Sequence, residues 1–319
     1  MLQVSGMDAP VTSVSRVAIL LATYNGQAYL SEQLASYAMQ IHRNWVVYAS
    51  DDGSKDGTRD ILRAHAVQWG RERLVFMDGP AKGGATNFLS MACSPDIQAD
   101  YYAYSDQDDV WEPEKLQRAV HALAAVPEGV PALYCSRLGL VDARGRGLGL
   151  SRLFMKPPCF ENALVQNIAS GNTSVFNQAA KALLQRTGAD VGVPFHDWWT
   201  YLVVSGCGGW VIYDTQPSIL YRQHDRNEMG SNRSFRAKWQ RMHMMWRGCF
   251  REWNDRNIRA LARLDADLTN DCRAVLKTYS SARHASFLPR LHGMLCSGVH
   301  FQTAGGNLGL LVAAIFNKI

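Results

Sequence analysis

Short apolar runs alternate with helically spaced segments across residues 16–125, and this alternation restricts the fold more than any other feature of the chain. Residues 16–22 are apolar after the first position and too few for a core helix, so they read as a strand buried on both faces. Residues 29–39 follow with Leu30, Leu34, Tyr37 and Ala38 at helical spacing. Residues 45–49, 74–77 and 101–104 read as further strands, and 58–69, 83–93 and 115–125 as helices. Such an order predicts an α/β fold built on a doubly wound, mainly parallel sheet. Ligands of these sheets gather at the carboxyl ends of the strands. Three polar clusters occupy such ends: Thr23-Tyr24-Asn25-Gly26, Asp51-Asp52-Gly53-Ser54 and Ser105-Asp106-Gln107-Asp108-Asp109.

The second half is less regular. Residues 132–135 and 210–213 read as strands, and 179–187 and 198–204 as helices. Beyond about Ser231 the chain turns helical and basic, with nine Lys/Arg against two Asp/Glu in residues 231–263. This places a boundary near Ser231, between a first part over 14–230 and a C-terminal extension over 231–319.

Asp106, Asp108 and Asp109 crowd one turn after an aromatic strand. Three adjacent carboxylates repel one another unless a cation neutralises them, and hard ions such as Mg2+ or Mn2+ take oxygen ligands shared with substrate phosphates. The competing reading is a solvated acidic turn before the helix that Pro113 and Glu114 open. Asp51 and Asp52 could accept a hydrogen bond from a base N–H or a ribose hydroxyl, or simply cap a tight turn. Neither a Gly-x-Gly-x-x-Gly turn nor a Gly-x-x-x-x-Gly-Lys-Ser/Thr loop follows any strand, which argues against dinucleotide oxidoreductases and P-loop enzymes.

Taken in order, Ala22 to Gly26, Ser50 to Thr58 and Ser105 to Trp111 resemble the motifs of family 2 glycosyltransferases of the GT-A fold, over residues 14–230. The Ser-Asp-Gln-Asp-Asp-Val-Trp form, with the later Tyr221-Arg222-Gln223-His224, resembles the bacterial rhamnosyltransferase-type members. The resemblance implies an inverting, metal-dependent enzyme that moves a sugar, with L-rhamnose from dTDP-rhamnose the first choice. The acceptor would be a hydroxyl of a glycan or lipid-linked glycan in bacterial surface polysaccharide or lipopolysaccharide. A UDP-hexose donor, a catalytically silent nucleotide-sugar scaffold and a nucleotidyltransferase stay open beside it. By position, Tyr24 and Asp52 would hold the nucleotide base, with Ala22 and Thr23 supplying the loop. Asp108, assisted by Asp106, would ligate Mn2+ or Mg2+, and Asp197 would be the catalytic base. His196 precedes that base where the family commonly has an acidic residue. Gly171, Asn172 and Thr173 would line the donor-sugar and acceptor region. His224 reads either as a diphosphate or metal contact or as a histidine ordering its own loop. Arg222 and Arg226 are further candidates for phosphate, and Lys82 reads as a surface lysine more than a nucleotide contact.

A net charge of +5 is too small to argue for nucleic acid. The seven cysteines are scattered without zinc-site spacing and read as reduced thiols of a cytosolic protein. Residues 1–15 lack the basic start and apolar run of a signal peptide, and no apolar stretch reaches bilayer length. Trp239, Met242, Trp246, Cys249, Phe250 and Trp253 recur at helical spacing among Arg236, Lys238, Arg241, Arg247 and Arg251. This stripe suits packing on the catalytic domain or on a second copy in a homodimer. It also suits peripheral contact with the anionic inner face of a bacterial membrane.

Overall fold

The computed structural model describes residues 15–224 and 247–319. In chain order the strands are β1 (Val17–Thr23), β2 (Trp45–Asp51), β3 (Leu74–Asp78), β4 (Tyr101–Ser105), β5 (Val110–Trp111), β6 (Ala132–Ser136), β7 (Gly139–Asp142), β8 (Gly147–Leu150), β9 (Val175–Asn177), β10 (Trp210–Asp214) and β11 (Ile219–Gln223). The helices before residue 225 are α1 (Leu30–Ala38), α2 (Thr58–Trp69), α3 (Gly84–Cys93), α4 (Lys115–Ala124), α5 (Phe160–Ala163), α6 (Gln178–Thr187) and α7 (His196–Gly206). After residue 246 come α8 (Cys249–Leu261), α9 (Asn270–His284), α10 (Phe287–Cys296) and α11 (Ala304–Ile315).

Seven strands form the central sheet in the order β10-β6-β9-β4-β1-β2-β3. Neighbours are parallel except at β9, which runs antiparallel to both β4 and β6. The expected α/β sheet is present, and its mainly parallel character holds. A second sheet, β5-β11-β7-β8, was not foreseen from the sequence. Its strands are two to five residues long, and Gly139, Gly147 and Gly149 interrupt the apolar alternation that would reveal them.

The alternation along β1 explains its burial on both faces. Ala18 and Leu20 enter one core cluster, while Val17, Ile19 and Leu21 enter the other. Helices α1, α2 and α4 cover the second cluster, and α3, α6 and α7 cover the first. Leu261, Leu264, Tyr279, Met294 and Ala313 belong to that same first cluster, so the C-terminal helices extend the core under α7. The expected boundary near Ser231 lies outside the described residues, as do Arg226, Arg236, Lys238, Trp239, Arg241, Met242 and Trp246. Of the aromatic stripe, Trp253 packs edge-on against Phe195 at 5.0 Å and against Phe250 at 5.2 Å. Among the described residues no helix is long and apolar enough to cross a membrane.

Candidate active site

Register brings the polar clusters together. Thr23 pairs with Asp51 across β1 and β2, and Leu21 pairs with Ser105 across β1 and β4. All three strands therefore end at one edge, and their loops are cross-bonded. Gln107 clasps the first loop, accepting from Tyr24 N at 2.8 Å and donating to Tyr24 O at 2.9 Å. Asn25 N donates to Ser54 Oγ at 2.8 Å, and Lys55 N donates to Asn25 Oδ1 at 2.9 Å. Asn25 has a φ of 50°, and Asn tolerates this left-handed backbone better than most residues. The phenol ring of Tyr24 is left exposed at the mouth, with half-buried Ala22 two residues behind it.

The acid pair after β2 divides its work. Asp51 is buried and accepts from Thr23 Oγ1 at 3.0 Å, Ser54 N at 3.0 Å and Ser54 Oγ at 2.5 Å, which spends it on the turn. Asp52 points the other way, and its carboxylate accepts from Ala81 N at 2.7 Å and Gly83 N at 2.8 Å. Lys82, between them, is ion-paired with Asp190 on the surface.

The acidic loop after β4 is also differentiated. Asp106 is half-buried at its start. Asp108 Oδ2 lies 2.7 Å from His224 Nε2, and the His224 ring stacks on Tyr29 at 5.2 Å. Asp109 is buried, accepts from Asn172 Nδ2 at 2.6 Å and Arg222 N at 3.3 Å, and is pushed by burial and the charge of Asp108 up to about 7. Beneath it, Lys115 is fully buried, lies 4.1 Å from the Trp111 ring and donates to Asn172 O. Burial pulls its ammonium down to about 7 against the opposing charges of Asp109 and Asp106.

Two residues expected to contact substrate are bonded within the protein. Asn172 is buried, with its amide bonded to Asp109 and Ser170, so it serves the scaffold. Arg222 is buried as well. Its guanidinium donates to Asp108 O at 3.1 Å, Ala143 O at 3.3 Å and Glu32 Oε2 at 2.6 Å, and stacks over Tyr29. It joins the acidic loop to α1 and to the β7–β8 turn, a position unlike that of a phosphate ligand in an open cleft.

Asp197 stands in the first turn of α7. Its carboxylate accepts from Gly171 N at 3.0 Å and Trp198 N at 2.6 Å, with Asn167 as a further side-chain partner. Burial outweighs these bonds and raises it from 3.8 to about 6. His196 beside it stacks on Phe88, and burial lowers it to about 3, so it stays neutral and adds no charge to its neighbour. Adjacent residues thus bind both halves of the site, Gly171 N to Asp197 and Asn172 to the acidic loop.

Gly171 has no room for a side chain. A Cβ there would lie 2.7 Å from His196 Nε2 and 3.2 Å from Asp197 Cβ. Gly171→Ala is therefore expected to cost ~1–3 kcal/mol by overpacking and to displace Asp197. Thermal unfolding and transfer rate should fall together. An unchanged melting temperature with full activity would contradict this close approach.

Beside His224 opens a cavity of about 780 Å³ lined by Tyr29, Asp142, Arg144, Arg146 and Gln223. The sequence reading missed its arginines, which lie on the unforeseen hairpin.

Residues 18–138 match the family described as Glycosyl transferase family 2. The chain is 28% identical to the dTDP-rhamnosyl transferase RfbG of Shigella flexneri over 76% of its own length and 84% of that protein. It is 31% identical to the putative teichuronic acid biosynthesis glycosyltransferase TuaG of Bacillus subtilis over 32% of its length and 39% of that protein. Its fold is similar to the crystal structure of S. aureus TarS 1–349 in complex with UDP-GlcNAc, with a TM-score of 0.52 and 16% identity over 84% of this chain and 87% of that one. The matched motifs therefore place residues 18–138 with family 2 glycosyltransferases, and the sheet that carries them has the GT-A fold.

Proposed function

We propose that the chain transfers a sugar from a nucleoside diphosphate to an acceptor hydroxyl with inversion, in one displacement with Asp197 as base. The observation that carries this is the Gly171-Asn172 turn, which bonds to the carboxylate of Asp197 on one side and to the acidic loop on the other. Asp197, raised to about 6, is ionised at neutral pH yet basic enough to take a hydroxyl proton. As the acceptor oxygen bonds to the anomeric carbon, the bond from that carbon to the diphosphate breaks. The electron pair leaves with the nucleotide, and the proton passes to Asp197.

The donor would lie across the strand ends. The exposed Tyr24 ring offers a stacking face to the base, and Asp52 offers carboxylate lone pairs to a base N–H. Asp108 and His224 suit a divalent cation. A carboxylate oxygen, a ligand suited to Mn2+ or Mg2+, stands 2.7 Å from an imidazole nitrogen, a ligand for transition metals. Among the described residues no three His, Cys, Asp or Glu side chains converge as a metal site. The cation would thus draw its remaining ligands from Asp106, substrate oxygens and water. When bound, it would neutralise charge developing on the departing diphosphate.

dTDP-rhamnose is the proposed donor, supported by the similarity to a dTDP-rhamnosyl transferase over most of both chains. The proposed acceptor is a hydroxyl of a bacterial surface glycan, free or lipid-linked. Titrating dTDP-, UDP- and GDP-sugars in the presence of Mn2+ tests the donor. The dTDP-sugar should bind at least ~tenfold more tightly than the others, a discrimination of about 1.4 kcal/mol. Preference for a UDP- or GDP-sugar would overturn the rhamnosyl reading. Chelation, or Asp108→Asn, should reduce transfer ~100-fold or more, since a bound cation supplies several kcal/mol at a leaving diphosphate. Full activity in EDTA would remove the metal from the reading.

A further inference from the structure

The β7–β8 hairpin and the segment after it carry a surface that the transfer reaction does not use. Residues 143–156 contain Arg144, Arg146, Arg152 and Lys156 and no acidic residue. All four are exposed. Among them Leu150, Leu153 and Met155 are exposed too, Met155 by 79%. Strand β8 is the outer strand of its sheet, and Gly147 and Gly149 add no bulk to it.

This strap is tied to the last helix. Lys156 N donates to Gln302 Oε1 at 2.9 Å, and Gln302 Nε2 donates to Lys156 O at 3.0 Å. Two residues later α11 begins, a helix with no charged side chain in residues 304–315. Leu308, Leu311 and Ile315 are exposed along it at helical spacing. The other end of the strap supplies Arg144 and Arg146 to the cavity beside His224.

From this arrangement we propose that strap 143–156 and the exposed face of α11 rest on an anionic lipid surface. The cavity beside His224 then opens beside the headgroups. Apolar side chains that enter the acyl boundary, flanked by cations, are the chemistry of interfacial binding; Arg144, Arg152 and Lys156 supply the cations here, while Arg146 is ion-paired with Asp142 at 2.7 Å. A second copy fits less well. A two-fold contact would set one cationic strap near another, and lysine is depleted from protein interfaces. The proposal goes beyond the transfer reading by naming the surface from which a lipid-linked acceptor reaches the site.

The test is flotation of the full chain with vesicles of phosphatidylcholine containing 30% phosphatidylglycerol, against pure phosphatidylcholine. Binding is expected only to the anionic vesicles, weakening at high salt. Arg152→Ala with Lys156→Ala should weaken it about 30-fold, at ~1 kcal/mol for each cation near the surface. Leu308→Ser with Leu311→Ser should weaken it about tenfold through lost apolar burial. Nucleotide-sugar binding in buffer, measured on the same variants, should stay unchanged and shows that they fold. Equal binding to both vesicle types would overturn the proposal. So would undiminished binding by either pair of variants, or a dimer in solution that the leucine substitutions dissociate while vesicles go unbound. Failure of the wild-type chain to bind any nucleotide-sugar would count against the transfer reading alone and leave the vesicle result standing.

Discussion

Asp197→Asn is expected to lower the transfer rate ~10²–10⁴-fold, the range for loss of a positioned general base, while nucleotide-sugar affinity changes little. The side chain keeps its shape, so α7 and its contacts with Gly171 and Trp198 should persist, although the amide can accept from only one of those N–H groups. Binding and chemistry should thus separate in the kinetics, with kcat falling and the donor dissociation constant near that of the wild type. The pH profile gives an independent check. Burial raises the carboxylate from 3.8 to about 6. The active form is the ionised one, so kcat/KM in the wild type should climb with pH through about 6 and level off above it. That limb should vanish from the residual activity of the variant. A variant with undiminished transfer, or one that keeps the limb, would remove Asp197 as the base.

The strand-end loops were legible because each follows a continuous apolar run stopped by residues that favour turns. Residues 16–22, 45–49 and 101–104 each identified a central strand; the structure shifts the first by one residue and lengthens the other two by two and one. Which carboxylate does what was harder to read. Asp51 and Asp52 are chemically identical neighbours, and only the alternation at the end of β2 decides that Asp51 turns inward. The family resemblance puts Asn172 along the donor-sugar region, and its charge makes Arg222 a candidate for phosphate. Both are buried, and their polar atoms are spent on one another's neighbours. Gln107 was passed over between two aspartates, yet it fastens the acidic loop to Tyr24. The β7–β8 hairpin left no signal because glycine-broken strands of four residues have too few side chains to show a period.

Lys115 is the sharpest case of such concealment, and its loss should have the largest effect on stability. A lysine in the first turn of a helix reads as solvated, but this one is fully buried under the acidic loop. Its ammonium donates to Asn172 O, lies over the Trp111 ring and acts electrostatically on Asp109. Lys115→Met fills the same space without the charge. It leaves the Asn172 carbonyl without its donor and Asp109 without its nearby cation. Leaving a buried acceptor without its donor costs ~1–3 kcal/mol, and more where a neighbouring buried carboxylate also loses a cation. Urea denaturation of the variant should show that loss. Adding Asp109→Asn removes the orphaned carboxylate, so the double variant should recover part of it, with a coupling of ~0.5–3 kcal/mol in a double-mutant cycle. Donor affinity should follow stability in this series, because Asp109 and Asn172 hold the loop that carries Asp108. A Lys115→Met chain within ~0.5 kcal/mol of wild type, the scale of an ordinary surface substitution, would mean that the cation does not support the acidic loop.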